Sequence, residues 1–389
     1  MAQTPWTDLI EHVHASETRL VLAVTGGGSK AISQLLDVAG ASRTVLEAVV
    51  PYAAKSLTDW LGGQPKKYCS EPTARAMAMA AWMRARRLAP EITPTHLVGI
   101  GATASLASDR PKRGEHRVYV AVQTATDTAS YSFQLSKGSR DRKKEQWLAA
   151  KLILIAVGEA CNVDTAAAKL ALNAQLLAHE QIESRHQQAE TGWAQVLLGN
   201  QKWFAVSQAE APADDKQRQV VFPGAFNPPH AGHRRMAQIA AAKLGQSVAF
   251  EISITNVDKP PLDYMRLHER IKTFQQWDPT AKLLLTDAPT FLEKAALFPG
   301  CTFVVGADTM ARIAESRYYE DSLVARDVAM QTIAKYKCRF LVFGRHCDGK
   351  FQSLADLKLP AALLALCEEV AEVEFCEEIS STRLRRGEP

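Results

Sequence analysis

Residues 224–233 read GAFNPPHAGH, and the apolar triplet before them, Val220-Val221-Phe222, reads as a strand. A strand whose end turns into a helix leaves backbone N–H groups free at the helix start, where the helix dipole also favours phosphate. Gly224 permits a close approach or an unusual dihedral, and Pro228-Pro229 stiffens the bend. His230 and His233 stand at i and i+3, so they share one face of the first turn. Two imidazoles aimed at one place can donate hydrogen bonds to a phosphate as charge grows on its oxygens. Arg234 to Leu244 then has the composition of a good helix, and Gly245 supplies a stop.

A second run, ISSTRLR at 379–385, puts Ser380, Ser381 and Thr382 with Arg383 and Arg385 where a short helix could begin. Between the two lie Asn256-Val257-Asp258-Lys259 with Arg266, the strand-like Phe303-Val304-Val305 ending in Gly306-Ala307-Asp308, and Phe340 to Phe343 ending in Gly344-Arg345. Taken singly, each has a plainer reading. A Ser-Ser-Thr run is ordinarily an N-cap, a Gly-Ala-Asp tip an ordinary strand end, and Lys259 and Arg266 solvated loop residues. They converge only on a doubly wound parallel sheet with its ligand at the carboxyl ends of the strands.

The pattern GxFxPxHxGH followed by ISSTxxR resembles the nucleotidylyltransferase superfamily, and within it nicotinamide mononucleotide adenylyltransferases, over residues 218–389. The resemblance implies a Rossmann-like α/β domain that moves an adenylyl group from ATP, with Mg2+, onto nicotinamide or nicotinate mononucleotide. It makes His230 and His233 the catalytic pair. It assigns ATP and substrate binding to Gly224, Ala225, Phe226, Lys259, Arg266, Gly306, Asp308, Arg345, Ser380, Ser381, Thr382 and Arg385. No protein side chain is expected to hold the metal. Another phosphorylated acceptor, such as phosphopantetheine or a phosphorylated alcohol, use of CTP, and a non-catalytic nucleotide-binding regulator remain the alternatives. Tyr318 and Tyr319 stand where a ring could stack on a pyridine, or where they could simply pack.

Length and composition suit a multi-domain globular protein: 389 residues, 47% hydrophobic, formal charge +4. That charge is too small to imply nucleic acid and suits small anionic substrates equally well. The seven cysteines contain no CxxC pair and read as reduced thiols, so a cytoplasmic location is expected. The first twenty residues hold Asp8, Glu11 and Glu17 without an apolar run, and Leu152–Val157 is too short for a bilayer, so neither a secretion signal nor a membrane partner is expected. Small nucleotides are the expected partners, with a homo-oligomer left open.

Residues 207–218 are polar and lack apolar periodicity, which reads as a linker. The expected organisation is therefore a domain over 1–163, a helical connection and linker over 164–217, and the transferase domain over 218–389. Residues 164–188, Ala- and Leu-rich behind Asp164, read as one amphipathic helix, whose His179 and His186 are not metal ligands. The basic cluster Lys137–Lys144 reads as a solvated turn and helix start.

In the first domain, Leu20–Val24 reads as a strand feeding Thr25-Gly26-Gly27-Gly28-Ser29-Lys30 and a helix from Ala31 to Val38. The turn does not satisfy GxxxxGK[ST] and is not a P-loop. With Asp37 to Ser42, Val49-Val50-Pro51-Tyr52, Val98 to Gly101 and the strand Arg117–Val122, it resembles the CinA C-terminal family of nicotinamide mononucleotide deamidases. The resemblance implies a second α/β domain with a ligand site at Thr25, Gly26, Gly27, Gly28, Ser29 and Tyr52. It also shows departures. Thr25 stands where that family has its serine, Leu57 where it has its lysine, and Lys55 is displaced by two. The expectation is a domain that kept its shape and lost the hydrolysis, with Ser29 and Lys30 as the one substitute pair.

Overall fold

The structure, a computed structural model, describes residues 4–109, 113–206, 219–257, 261–347 and 350–376. The chain forms two compact units, one of residues 1–194 with 258–266, the other of 195–257 with 267–389.

The first unit is built on six strands: β1 (Arg19–Thr25), β2 (Val45–Val49), β3 (Leu97–Ser105), β4 (His116–Gln123), β5 (Asp127–Leu135) and β6 (Glu183–Gln188). They lie in the order β2-β1-β3-β4-β5-β6; β1 pairs in parallel with both neighbours, and the pairs from β3 onward are antiparallel. Its helices are α1 (Pro5–Ala15), α2 (Lys30–Asp37), α3 (Ala54–Leu61), α4 (Glu71–Leu88), α5 (Arg142–Ala160) and α6 (Ala166–Asn173).

Strand alternation sorts the faces. Leu20, Leu22 and Val24 of β1, with Val118, Val120 and Val122 of β4, bury against α5 in the main core. Ala23 and Ala121 turn the other way, toward α4. Glycine lets α4 sit this close: a Cβ at Gly99 would lie 2.1 Å from the Ala78 carbonyl oxygen, and one at Gly101 2.2 Å from that of Ala74. Residues 261–266 also belong to this unit. Tyr264 is fully buried; its hydroxyl donates to the Ala125 carbonyl at 2.5 Å and its N–H to Thr128 Oγ1 at 3.0 Å. Asp263 faces Arg75 at 3.4 Å, both buried.

The helix expected over 164–188 is broken in two places. α6 stops at Asn173, and 183–188 form the edge strand β6, with His186 opposite Ala129. The cause lies 40 residues away in the chain. The buried Glu180 carboxylate accepts from the Arg140 guanidinium at 2.7 and 2.8 Å and from the N–H groups of Ser136 and Leu177. That network fixes a turn where Ala and Leu propensity alone favours helix. It also corrects the basic cluster: Arg140 is largely shielded in an ion pair with buried Glu180, while Asp141 caps α5 through the Lys144 N–H.

The second unit carries β7 (Trp203–Ala205), β8 (Val220–Pro223), β9 (Val248–Ser253), β10 (Lys282–Thr286), β11 (Thr302–Gly306), β12 (Arg339–Phe343), the hairpin β13 (Arg345–Cys347) with β14 (Lys350–Gln352), and β15 (Cys367–Val370). The helices are α7 (Thr191–Leu198, shared with the first unit), α8 (Ala231–Leu244), α9 (Tyr264–Trp277, also shared), α10 (Phe291–Leu297), α11 (Ala307–Ile313), α12 (Leu323–Lys335) and α13 (Ala361–Leu364). The main sheet runs β15-β12-β11-β8-β9-β10-β7, parallel throughout except for β7. From β10 the strands come third, second, first, fourth, fifth, sixth, which is the Rossmann order. The Val-, Leu- and Phe-rich strands bury both faces, as parallel strands do. The expected Gly245 stop is present, at φ +67°.

Candidate active site

In a sheet of this order the strand sequence reverses between β8 and β11, and ligands bind in the crevice that opens there. β8 runs into it through Gly224, whose N–H extends the ladder to the Glu251 carbonyl at 2.9 Å. The glycine is required by a side chain of its own loop: a Cβ there would stand 2.6 Å from the Phe226 ring. Phe226 takes φ +41°, a left-handed conformation unfavourable for a bulky residue. Edge-on contacts to Phe222, Phe250 and Phe274, with centroids 5.3–5.5 Å apart, hold it there.

That aromatic block also carries the histidines. The His233 ring meets Phe226 at 5.0 Å and stacks on His230 at 3.7 Å. His230 is the extended N-cap of α8, and its backbone N–H donates to His233 Nδ1 at 3.1 Å. An imidazole nitrogen that accepts carries no proton, so neutral His233 keeps its hydrogen on Nε2 as a donor. Burial pushes the His230 pKa down to about 4, with Arg345 adding to the effect. It pushes His233 down to about 3, with His230 and Arg345 contributing. Both rings are therefore neutral at pH 7. His230 Nδ1 is buried without a hydrogen-bond partner among the described residues. A buried polar atom of that kind in a crevice is an open position for a ligand.

Across the crevice, Gly306 ends β11 and Asp308 lies in the first turn of α11. A Cβ at Gly306 would stand 2.7 Å from Asp308 Oδ1. Arg345, just past β12, pairs with Asp308 at 3.1 Å. Both are partly exposed, and such a pair stabilises a fold little. Its consequence is electrostatic: the guanidinium, matched by Asp308, still faces the two rings closely enough to disfavour their protonation.

Gly224, Ala225, Phe226, His230, His233, Gly306, Asp308 and Arg345 thus all belong to the second unit, at or just past the carboxyl ends of β8, β11 and β12. Lys259, Ser380, Ser381, Thr382 and Arg385 lie outside the described residues. Arg266 is grouped with the first unit, its N–H bonded to Asp263 Oδ1 at 2.9 Å. The Tyr319 hydroxyl donates to the Ile313 carbonyl at 3.0 Å, and the Arg317 guanidinium lies over the Tyr318 ring. Sequence reading missed Glu251, a buried carboxylate inside an apolar strand beside Pro223. Lys294 Nζ donates to both of its oxygens at 2.8 Å, and Thr286 Oγ1 donates as well. The signal was a single Glu in the run VAFEIS.

In the first unit, the glycine turn after β1 is filled by protein. Gly26 (φ +79°) and Gly28 (φ +91°) would drive a Cβ into the Ala104 carbonyl oxygen at 2.0 Å and the Ile153 side chain at 2.6 Å. The Gly28 N–H donates to Gln146 Oε1 at 2.6 Å, and Arg142 donates to the Gly26 carbonyl at 3.3 Å. A Cβ at Gly27 would strike Leu106. Thr25 is buried opposite Thr103, Ser29 makes no side-chain capping bond, and Tyr52 is exposed. Leu57 is buried with Leu61, Ala76 and Met77, Lys55 pairs with Asp59, and Lys30 lies over the Trp147 ring.

Among the described residues no helix is long and apolar enough to cross a membrane. Residues 221–387 match the family described as cytidylyltransferase-like, so the second unit carries a nucleotidyltransferase domain of that family. The N-terminal half is similar to solved structures of the CinA superfamily. The competence/damage inducible protein CihA of Agrobacterium tumefaciens is 18% identical, covering 44% of this chain and 99% of that one, with a TM-score of 0.32. A CinA superfamily protein of Escherichia coli is 18% identical over 44% of this chain and 88% of its own, TM-score 0.31. One from Klebsiella pneumoniae is 16% identical over 41% and 99%, TM-score 0.32. No curated protein matches the chain.

Proposed function

We infer that the second unit transfers an adenylyl group from ATP to nicotinamide or nicotinate mononucleotide, giving the dinucleotide and pyrophosphate. A phosphate oxygen of the acceptor attacks the α-phosphorus in line. The bond to the bridging oxygen breaks, and its electron pair leaves with pyrophosphate. The observation that carries this reading is the imidazole pair at the sheet's switch point, one ring presenting Nε2–H and the other an open Nδ1. A neutral donor with a depressed pKa keeps its proton while hydrogen-bonding to the oxygens on which charge develops. Arg345, paired with Asp308, would be the cation nearest the rings for an incoming phosphate to engage. On the resemblance, Ser381, Thr382 and Arg385 would hold the β- and γ-phosphates, and Lys259 and Arg266 would orient the anions.

A magnesium ion would arrive on the triphosphate, held mostly by phosphate and water. Asp308, the carboxylate of the crevice, is engaged by Arg345. Bound with ATP, the ion would withdraw charge from the phosphate oxygens.

Pyrophosphate release, measured with ATP or CTP against nicotinamide mononucleotide, nicotinate mononucleotide, phosphopantetheine and a phosphorylated alcohol, tests the assignment. Release with ATP and a pyridine mononucleotide is expected. Turnover confined to another pair overturns the substrates, and no turnover in any arm overturns the activity.

For the first unit the reading is retained shape without deamidation, because Leu57 is core and Lys55 is engaged by Asp59. Ammonia release from nicotinamide mononucleotide by the full chain would refute it.

A further inference from the structure

One face of α5 carries a basic pocket apart from the glycine turn of the first unit. A pocket of about 450 Å3, open to solvent, is lined by Arg140, Lys144, Trp147, Leu148, Lys151 and Gln175. Lys144, Trp147, Leu148 and Lys151 fall at i, i+3, i+4 and i+7, so the helix presents them on one stripe. The lining is charged in one sense. Arg140 has its charge matched by the buried Glu180. Among the described residues Lys144 and Lys151 have no ion-pair partner; Lys151 Nζ donates to the neutral Gln175 Oε1 at 2.6 Å. The walls are also built. Arg140 is fixed by two bonds to Glu180 and one to the Gln175 carbonyl at 2.9 Å, so the cavity's edge does not depend on a free side chain. Half-buried Trp147, with the Lys30 ammonium 4.7 Å from its ring centroid, adds a flat apolar wall beside Leu148.

Lys144 is exposed, and half-buried Lys151 also lies 5.3 Å from the Trp6 ring centroid; two ammonium groups with no carboxylate beside them favour an anion of more than one charge, and an indole beside a leucine favours a planar ring. The volume falls in the range of small-ligand pockets. Lys151 is also partly desolvated, which lowers its pKa and disfavours its charge until an anion arrives.

We propose that this face of α5 binds a nucleotide-like anion, its phosphates on Lys144 and Lys151 and its ring on Trp147. The site lies wholly within the first unit and does not depend on the reaction assigned to the second. It also uses none of the residues of the glycine turn.

Competitive acetylation of amines on the full chain, read by mass spectrometry residue by residue, tests the site directly. Millimolar ADP is expected to slow modification of Lys144 and Lys151 at least fivefold, leaving exposed Lys55 unchanged. In Trp147→Leu the protection should weaken at least fivefold, and Lys144→Glu should remove it at Lys151 while pyrophosphate release by the second unit stays normal. Equal protection at Lys55, or none at Lys144 and Lys151, overturns the site. Equal protection by pyrophosphate alone at the same concentration, or full protection in Trp147→Leu, overturns the ring contact and with it the nucleotide.

Discussion

His233 does two things with one ring. Its Nδ1 accepts the N-cap N–H of His230, and in doing so it leaves Nε2 protonated and free to donate. His233→Ala removes that donor together with one capping bond at the start of α8 and the ring's contacts with Phe226 and His230. We expect turnover to fall by at least about two orders of magnitude, the usual scale for one transition-state donor, with a far-ultraviolet circular dichroism spectrum like that of the parent. Near-normal turnover would remove His233 from the chemistry. The depressed pKa values of the pair also set a pH dependence. Both groups titrate lower in the folded chain, at about 4 and about 3, than the ordinary 6.5 of an unfolded histidine. Between those limits the unfolded chain binds more protons, so stability is fully present above pH 6.5 and is lost as pH falls toward 3. The urea midpoint of His230→Gln/His233→Gln should therefore decline less between pH 7 and 4 than that of the parent. Parallel declines would show that burial does not hold these rings neutral.

At the scale of elements, close packing through absent side chains is as informative as the residues present. α4 rests on β3 where Gly99 and Gly101 leave no Cβ. Gly101→Ala places a methyl against the Ala74 backbone, which cannot rotate away, and should cost about 1–3 kcal/mol by urea unfolding. Gly114→Ala meets nothing within 4 Å and serves as the control, expected to be neutral. Equal midpoints would mean that helix and strand separate at no cost. These contacts also explain what the sequence could convey. β8, β11 and β12 were legible because buried parallel strands are short apolar runs, and His230 and His233 because their chemistry depends on spacing along one helix turn. Phe226's left-handed backbone was not, since Phe250 and Phe274 hold it from elsewhere in the chain. β6 was not, since its turn is fixed by Arg140 and Glu180, distant partners that composition makes look like solvated charges. The Glu251–Lys294 pair was hidden for the same reason: a lone charge in a strand has no local signature of its counter-ion.

Over the whole chain, the unit boundaries do not follow the order of the sequence. The first unit includes residues 258–266, which come after the second unit has begun. That assignment rests on burial of definite groups. Tyr264 is inaccessible to solvent, its hydroxyl is bonded to the Ala125 carbonyl, and Asp263 stands against the buried Arg75 guanidinium. Residues 1–194 alone would leave Arg75 and Ala125 without these partners, so the segment is structural material of the first unit rather than a spare connection. Tyr264→Phe tests this with the smallest change. It keeps the ring and removes one buried hydrogen bond, leaving the Ala125 carbonyl unpaired at a cost of about 1–3 kcal/mol. Hydrogen exchange should then quicken at the Thr124–Thr128 amides, which form the turn around Ala125 and the start of β5. Unchanged exchange at those amides, with an unchanged urea midpoint, would mean that the first unit holds together without the segment and that its boundary follows the sequence after all.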